Sequence, residues 1–180
     1  MKSIKKIATV TILVFIIVSC SNEPSLQKYY VNKSESPNFI SLTIPANVIK
    51  ITDAELTDEQ QQAYESVEKL NVLAFKLKGA DKATFNEEKS QITQILKNKK
   101  YQELMRINNG KQTGVVKYIG NDDTIDEVIV FGSDDVNGFA LVRVLGKNMK
   151  PENMMQLVQA VNTGNINGEG LNELKQFFGK

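Results

Sequence analysis

Residues 101–145, YQELMRINNGKQTGVVKYIGNDDTIDEVIVFGSDDVNGFALVRVL, decide the fold. Within them lie four runs in which apolar residues tend to recur at every second position: YQELMRI (101–107), GVVKYI (114–119), DEVIVF (126–131) and GFALVRVL (138–145). A period of two sends alternate side chains to opposite faces of a pleated strand. The runs are separated by NNGKQ, GNDDT and GSDDVNG, which are short and rich in Asn, Asp and Gly. Such turns join neighbouring strands directly, so the four strands should pair as an antiparallel meander.

Upstream, the period changes. FISLTIP (39–45) reads as a strand, and the start of ANVIKITDAEL (46–56) suits a helical turn. Thr57 and Gln60 form a capping-box pattern, and Ala63, Val67 and Leu70 recur on one helical face behind it. NVLAFKL (71–77) reads as a strand and GADKA (79–83) as a turn. Thr84 and Glu87 repeat the capping box before a second amphipathic helix with Phe85, Ile92, Ile95 and Leu96 inward. Downstream of the meander a helix starts near Pro151, with Met154, Leu157, Val158 and Val161 on one face, and stops at Gly164. A loop and a short terminal helix, LNELKQFF (171–178), complete the chain. The expected class is α+β: a mixed, largely antiparallel sheet with helices packed on one face and a right-handed first crossover. Residues 39–180 should form one domain.

The N-terminus carries a different signal. MKSIKK is a positive segment, and IATVTILVFIIV (7–18) is an apolar run of twelve residues. A bilayer core needs about 20 residues to cross, so the run fits the core of a secretory signal rather than a membrane span. Ile17-Val18-Ser19-Cys20 follows. It resembles the bacterial lipobox, in which the signal is cut just before the cysteine and the cysteine is acylated. Residues 1–19 are then a signal peptide, and Cys20, the lone cysteine, is a lipid attachment site with no thiolate left for chemistry. Two or more acyl chains give stable anchoring where one is marginal. Ser21 rather than Asp after the cysteine favours the outer membrane, by resemblance to the sorting rule of enteric bacteria, facing the periplasm with the cell surface left open. Residues 20–38 read as a lipid-anchored flexible tether; its eighteen residues after Cys20 would span roughly 23 Å as coil. Tyr29 and Tyr30 in it should pack back onto the domain.

YQELMRIN, the charged strand around DEVIVF, GFALVRVLGK, the helix near Pro151 and the lipobox together resemble the small lipoproteins of domain-of-unknown-function family 4252. The resemblance covers about residues 37–160. It implies an envelope protein, and it carries no functional residues over, because its motifs are strand and helix patterns. Some members are thought to be encoded near extracytoplasmic sigma factors, which implies a link to envelope-stress signalling.

Composition limits the chemistry. The chain has 22 basic and 21 acidic residues, one cysteine and no histidine. With Lys2, Lys5 and Lys6 removed in the signal, 19 basic residues face 21 acidic ones, a net charge of −2. That balance leaves neither the footprint of a nucleic-acid binder nor an overall polybasic membrane charge. Histidine-based triads and Cys/His zinc sites are impossible, and no phosphate loop or dinucleotide fingerprint is present. The expectation is therefore no catalytic residue, no cofactor and no metal. Asp122, Asp123 and Asp126, and Asp134 and Asp135, read as solvated turn acids rather than calcium ligands. Glu103 and Glu127 lie within strands and are the carboxylate pair that a polysaccharide hydrolase would need; exposed acids are the plainer reading. Arg106 and Arg143, the only arginines, lie in strands among apolar neighbours. Each suits a cross-strand ion pair, Arg143 with Glu103 or Glu127, or an anionic ligand. Met149, Met154 and Met155 read as core. The resulting expectation is a non-catalytic, lipid-anchored binding module with an envelope protein as partner and the membrane as support.

Overall fold

The computed structural model describes residues 23–52, 55–77, 80–108, 110, 112–163 and 165–168, with side chains described as far as Leu157 except at 51 and 52. Cys20, the signal segment and the terminal LNELKQFF lie outside the described residues. The elements in chain order are α1 (Leu26–Lys33), β1 (Phe39–Pro45), a 3-10 turn (Ala46–Val48), β2 (Ile49–Thr52), α2 (Asp58–Ser66), β3 (Val67–Lys76), α3 (Lys82–Ile95), β4 (Gln102–Asn108), β5 (Gln112–Gly120), β6 (Ile125–Asp134), β7 (Gly138–Met149), α4 (Pro151–Thr163) and β8 (Asn165–Gly168).

The class is α+β, built on a six-stranded sheet in the order β1-β3-β7-β6-β5-β4. The meander β4-β5-β6-β7 forms as its turn chemistry dictates. In the first of its two acidic turns, Asn121 Oδ1 accepts from the backbone N–H groups of Asp123 and Thr124. In the second, Asp134 Oδ1 accepts from Val136 and Asn137, and these backbone bonds hold its carboxyl below the usual carboxylate range. Gly138 opens β7 with φ +127°, where an added Cβ would sit 2.0 Å from the Phe75 carbonyl oxygen; only glycine fits this approach of β7 to β3. A separate two-stranded sheet pairs β2 with β8.

Five expectations are corrected. Every neighbouring pair of strands among the described residues is antiparallel, including β1 with β3, so no parallel neighbours arise in the sheet. The long connection is instead α3, which carries the chain from β3 past three strands to β4 at the edge. Next, the helices lie on both faces. Phe85, Ile92, Ile95 and Leu96 of the α3 segment, with Leu26 and Tyr29 of α1, pack on Leu73, Phe75, Ile129, Phe131, Phe139 and Leu141. Ala63 of α2 and Met154 and Leu157 of α4 pack with Val116, Val128 and Met149, against Val130 and Val144. Both strand faces are apolar in β6 and β7, and a sheet with two apolar faces needs two covers.

The remaining three corrections concern local limits. Thr57 and Gln60 do form the reciprocal capping box of α2, but the helix ends at Ser66. Val67, placed by periodicity on the helix, already pairs with Gly146 of β7, because strand pairing outweighs the weak helical preference of VEKLNV. In α3 the cap is Asp81, and Thr84 lies inside the first turn. Finally, residues 26–33 of the expected tether are a helix. Ser25 Oγ accepts from Lys28 N at 3.3 Å, and Leu26 and Tyr29 are buried, at 1% and 5% exposed. The apolar residues one helical turn apart gave α1 an inward face, and Tyr29 packs as expected. Met149 and Met154 are core, while Met155 is 38% exposed.

Candidate functional site

α1 lies over a set of polar side chains on an otherwise apolar sheet face. Arg143 of β7 and Glu127 of β6 point to this face, diagonal to each other across the strand pair. Arg143 Nε donates to Glu127 Oε1 at 2.6 Å and Nη2 donates to Oε2 at 2.9 Å, with Nη1 bonded to Gln27 of α1. Both partners are buried, at 6% and 8% exposed. Glu127's carboxylate holds the Arg143 guanidinium above its ordinary range, against the opposing effect of burial. Of the two acids that sequence offered to Arg143, Glu127 is the partner. Glu103 is instead held by Arg106, through Nε to Oε1 at 3.0 Å and Nη2 to Oε2 at 2.5 Å, an exposed pair on β4. A bulge between Glu103 and Met105 brings the two onto one side. This exposed pairing lowers the Glu103 carboxyl and raises Arg106. Glu103 and Glu127 do not form a carboxylate pair across a cleft: β5 separates their strands, and each sits in an arginine fork.

A second buried cluster joins α1 to α3. Tyr29 Oη donates to Glu88 Oε2 at 2.8 Å, and Lys33 Nζ is bonded to Glu88 Oε1. Glu88, 6% exposed, was missed by sequence reasoning, although its place three residues after Phe85 and four before Ile92 puts it on the inward stripe. Tyr30 Oη donates toward the carbonyls of Leu42 and Val72 and accepts from Ser41 Oγ at 2.8 Å. Leu26 N donates to Tyr101 Oη at 3.3 Å.

Burial first, and then the bond to Glu88, push the Tyr29 phenol far above its ordinary value. The unfolded phenol titrates near about 10 while the folded one keeps its proton, so above that pH the native state binds more protons and unfolding is favoured. Stability from this group is full below about pH 10 and falls above it by up to about 1.4 kcal/mol per pH unit. Tyr29→Phe removes the proton, and denaturant melts between pH 9 and pH 11, as approximate bounds around that pKa, should fall less steeply for the variant than for the parent.

The sheet face beyond α3 is open at the β4–β5 edge. A groove of about 310 Å³ runs there between α3 and the two strands. Lys89 and Lys97 line it from the α3 side, and Arg106 and Lys117 from the sheet, over a floor that includes Leu96, Val115 and Phe131. Acids fix the rim: Lys89 pairs with Asp135 at 3.1 Å, and Lys117, which donates to Tyr101 O at 3.2 Å, lies 4.0 Å from Glu103. Four cations against Asp135 and Glu103 leave the groove positive. Of the two arginines singled out from sequence, Arg106 reaches it and Arg143 does not. The lysines were not legible, because α3, β4 and β5 meet only through the sheet order. No group of three or more Cys, Asp or Glu able to hold a metal occurs among the described residues.

The family described as "Domain of unknown function (DUF4252)" matches residues 29–157. The chain belongs to the DUF4252 family. No curated protein and no solved structure matches it. The DUF4252 region begins at Tyr29, inside α1, and ends at Leu157, inside α4. It thus contains both buried polar clusters except Leu26 and Gln27, and the whole groove.

Proposed function

We propose that this DUF4252 protein is a non-catalytic binding module of the cell envelope, anchored through an acylated Cys20 to the outer membrane and facing the periplasm. Its ligand is an anionic envelope partner that lies in the groove between α3 and the β4–β5 edge. The observation that carries the binding reading is the groove itself: a cationic rim over an apolar floor, beside the open edge of β4. Such a surface attracts negative charge and rewards apolar burial at once. The reading is favoured over a polysaccharide hydrolase because the two strand carboxylates are each engaged by an arginine. Anchoring is supported by the lipobox-like Ile17-Val18-Ser19-Cys20, by the positive segment and apolar run before it, and by membership of a family that the sequence resembles as lipoproteins. Among the described residues no helix is long and apolar enough to cross a membrane.

One pair of variants tests both halves. Cys20→Ala should move the protein from the membrane pellet to the soluble fraction and leave its signal uncleaved; retention in the pellet after detergent-free washing overturns the anchor. A photo-crosslinking residue at Thr113, exposed on β5 and lining the groove, should give a discrete adduct in intact envelopes. Combined Lys97→Glu and Arg106→Glu should cut that adduct at least about tenfold, the equivalent of roughly 1.4 kcal/mol. An adduct indifferent to the charge reversal overturns the groove as the binding surface.

A further inference from the structure

We propose that the end of the domain formed by the start of α1 and the loop Lys97–Lys100 lies directly on the phospholipid headgroups of the membrane that carries the anchor. The inference rests on the acylation of Cys20 proposed above and adds the orientation and the contact surface.

Chain length sets how far the domain can stand from the membrane. The domain takes hold of its N-terminal segment at Glu23, whose Oε2 accepts from Asn98 Nδ2 at 3.5 Å. Pro24 lies in a crevice with Gln94, Ile95 and Asn98. Ser25 then caps α1, and Leu26 and Tyr29 are in the core. The segment is therefore fastened from residue 23 onward, not from residue 39. Only three residue steps separate Cys20 from Glu23, and three steps reach at most about 11 Å even when fully extended. An acylated Cys20 places its backbone at the headgroup level, so Asn98 cannot stand far above that layer.

Asn98 is flanked by Lys97, Lys99 and Lys100, all exposed. In sequence KNKK marks only the break between a helix and a strand, and the near-neutral total charge hides it. In the fold it is a stiff loop. Lys97 N and Asn98 N donate back to Gln94 O and Ile95 O, Tyr101 N donates to Asn98 O, and Lys100 N donates to Asn98 Oδ1 at 3.1 Å. Lys100 Nζ stands 5.0 Å over the Tyr101 ring. A lysine after the last turn of α3 also suits the negative end of the helix dipole, which accounts for Lys97 but not for Lys99 and Lys100. Glu23 is the acid bonded to the loop. Asp122 and Asp123 lie in the β5–β6 turn at the same end of the sheet, inward of the β4 edge. Lysines within a Debye length of anionic headgroups are attracted to them, so the anchor supplies proximity and the loop supplies charge. The groove, with Lys97 in its lining, then opens beside the bilayer, not some 23 Å out on a coil.

The test uses the full acylated chain floated on vesicles of phosphatidylcholine, with and without phosphatidylglycerol. A membrane-impermeant amine reagent labels exposed lysines, and each site is read by mass spectrometry. Lys82 is the internal reference, exposed at the opposite end of α3 and about 20 Å away along a helix of this length. Lys97, Lys99 and Lys100 should label several-fold, about fivefold or more, slower on vesicles than in detergent, with the larger protection where phosphatidylglycerol is present. Lys82 should not change. A flexible Gly/Ser insert of about fifteen residues between Cys20 and Glu23 should abolish the protection while the chain still floats. A chain that floats on neutral vesicles but labels equally at both ends overturns the proposal alone. A chain that fails to float on neutral vesicles overturns the acylation reading, and the proposal with it.

Discussion

Arg143→Met should destabilise the domain by about 3–5 kcal/mol, because it leaves the Glu127 carboxylate buried without its partner. Glu127 is 8% exposed and both its oxygens are taken by the Arg143 guanidinium, so no water shell is at hand to replace the fork. Domains of ordinary stability hold about 5–15 kcal/mol, so the loss is a large share of the total. A urea midpoint shifted strongly down with an unchanged slope is the expected readout. Arg143→Met combined with Glu127→Leu should recover most of the loss, since a well-packed apolar pair often matches a buried ion pair in stability. If the single variant costs less than about 1 kcal/mol, the pair behaves as an exposed one and its burial has no energetic weight. The third partner, Gln27, ties this pair to α1, so the variant should also loosen the helix and raise amide exchange at Tyr29 and Tyr30.

Phe139→Ala should cost a similar about 3–5 kcal/mol, by a different mechanism. Phe139 is the hub of the aromatic cluster under α1 and α3. It stacks on Phe75 at 5.2 Å between ring centroids and meets Phe39, Phe85 and Phe131 at 5.9, 6.1 and 5.7 Å. It is 1% exposed, and the strand beneath it is pinned by the Gly138 approach to Phe75, so the site cannot collapse to fill the space. The loss adds cavity formation to the lost transfer of an aromatic ring. Val136→Ala, at a residue 67% exposed in the adjoining turn, is the control and should stay within about 0.5 kcal/mol. A thermal melt that fails to separate the two variants would mean that this cluster does not hold the sheet to its helices.

How far each feature was legible follows from the range of the interaction behind it. The meander strands, their turns, the capping box of α2 and the 3-10 turn after β1 depend on residues within a few positions of one another, and each was readable from the chain. The end of α2 was not, because Val67 is drawn into β3 by Gly146, nearly eighty residues along the chain. Nor was α1. LQKYYVNK buries only Leu26 and Tyr29, and the groups that fasten it, Glu88 and Tyr101, come from α3 and the residue before β4. The site residues divide in the same way. Arg143 and Glu127 were singled out as charged residues in apolar strands, yet their mutual choice, and that of Arg106 and Glu103, waited on register and on a bulge in β4.

The sequence by itself determined the α+β class, the order of the meander, the family and the absence of histidine from the whole chain. These are properties of composition and of short-range period, which the chain carries whether or not it is folded. Only the tertiary structure decided that helices cover both sheet faces, that α1 belongs to the core, and that lysines from α3, β4 and β5 share one groove. Those outcomes depend on which apolar faces find each other across the strand order, and burial between distant segments is a choice the whole fold makes at once.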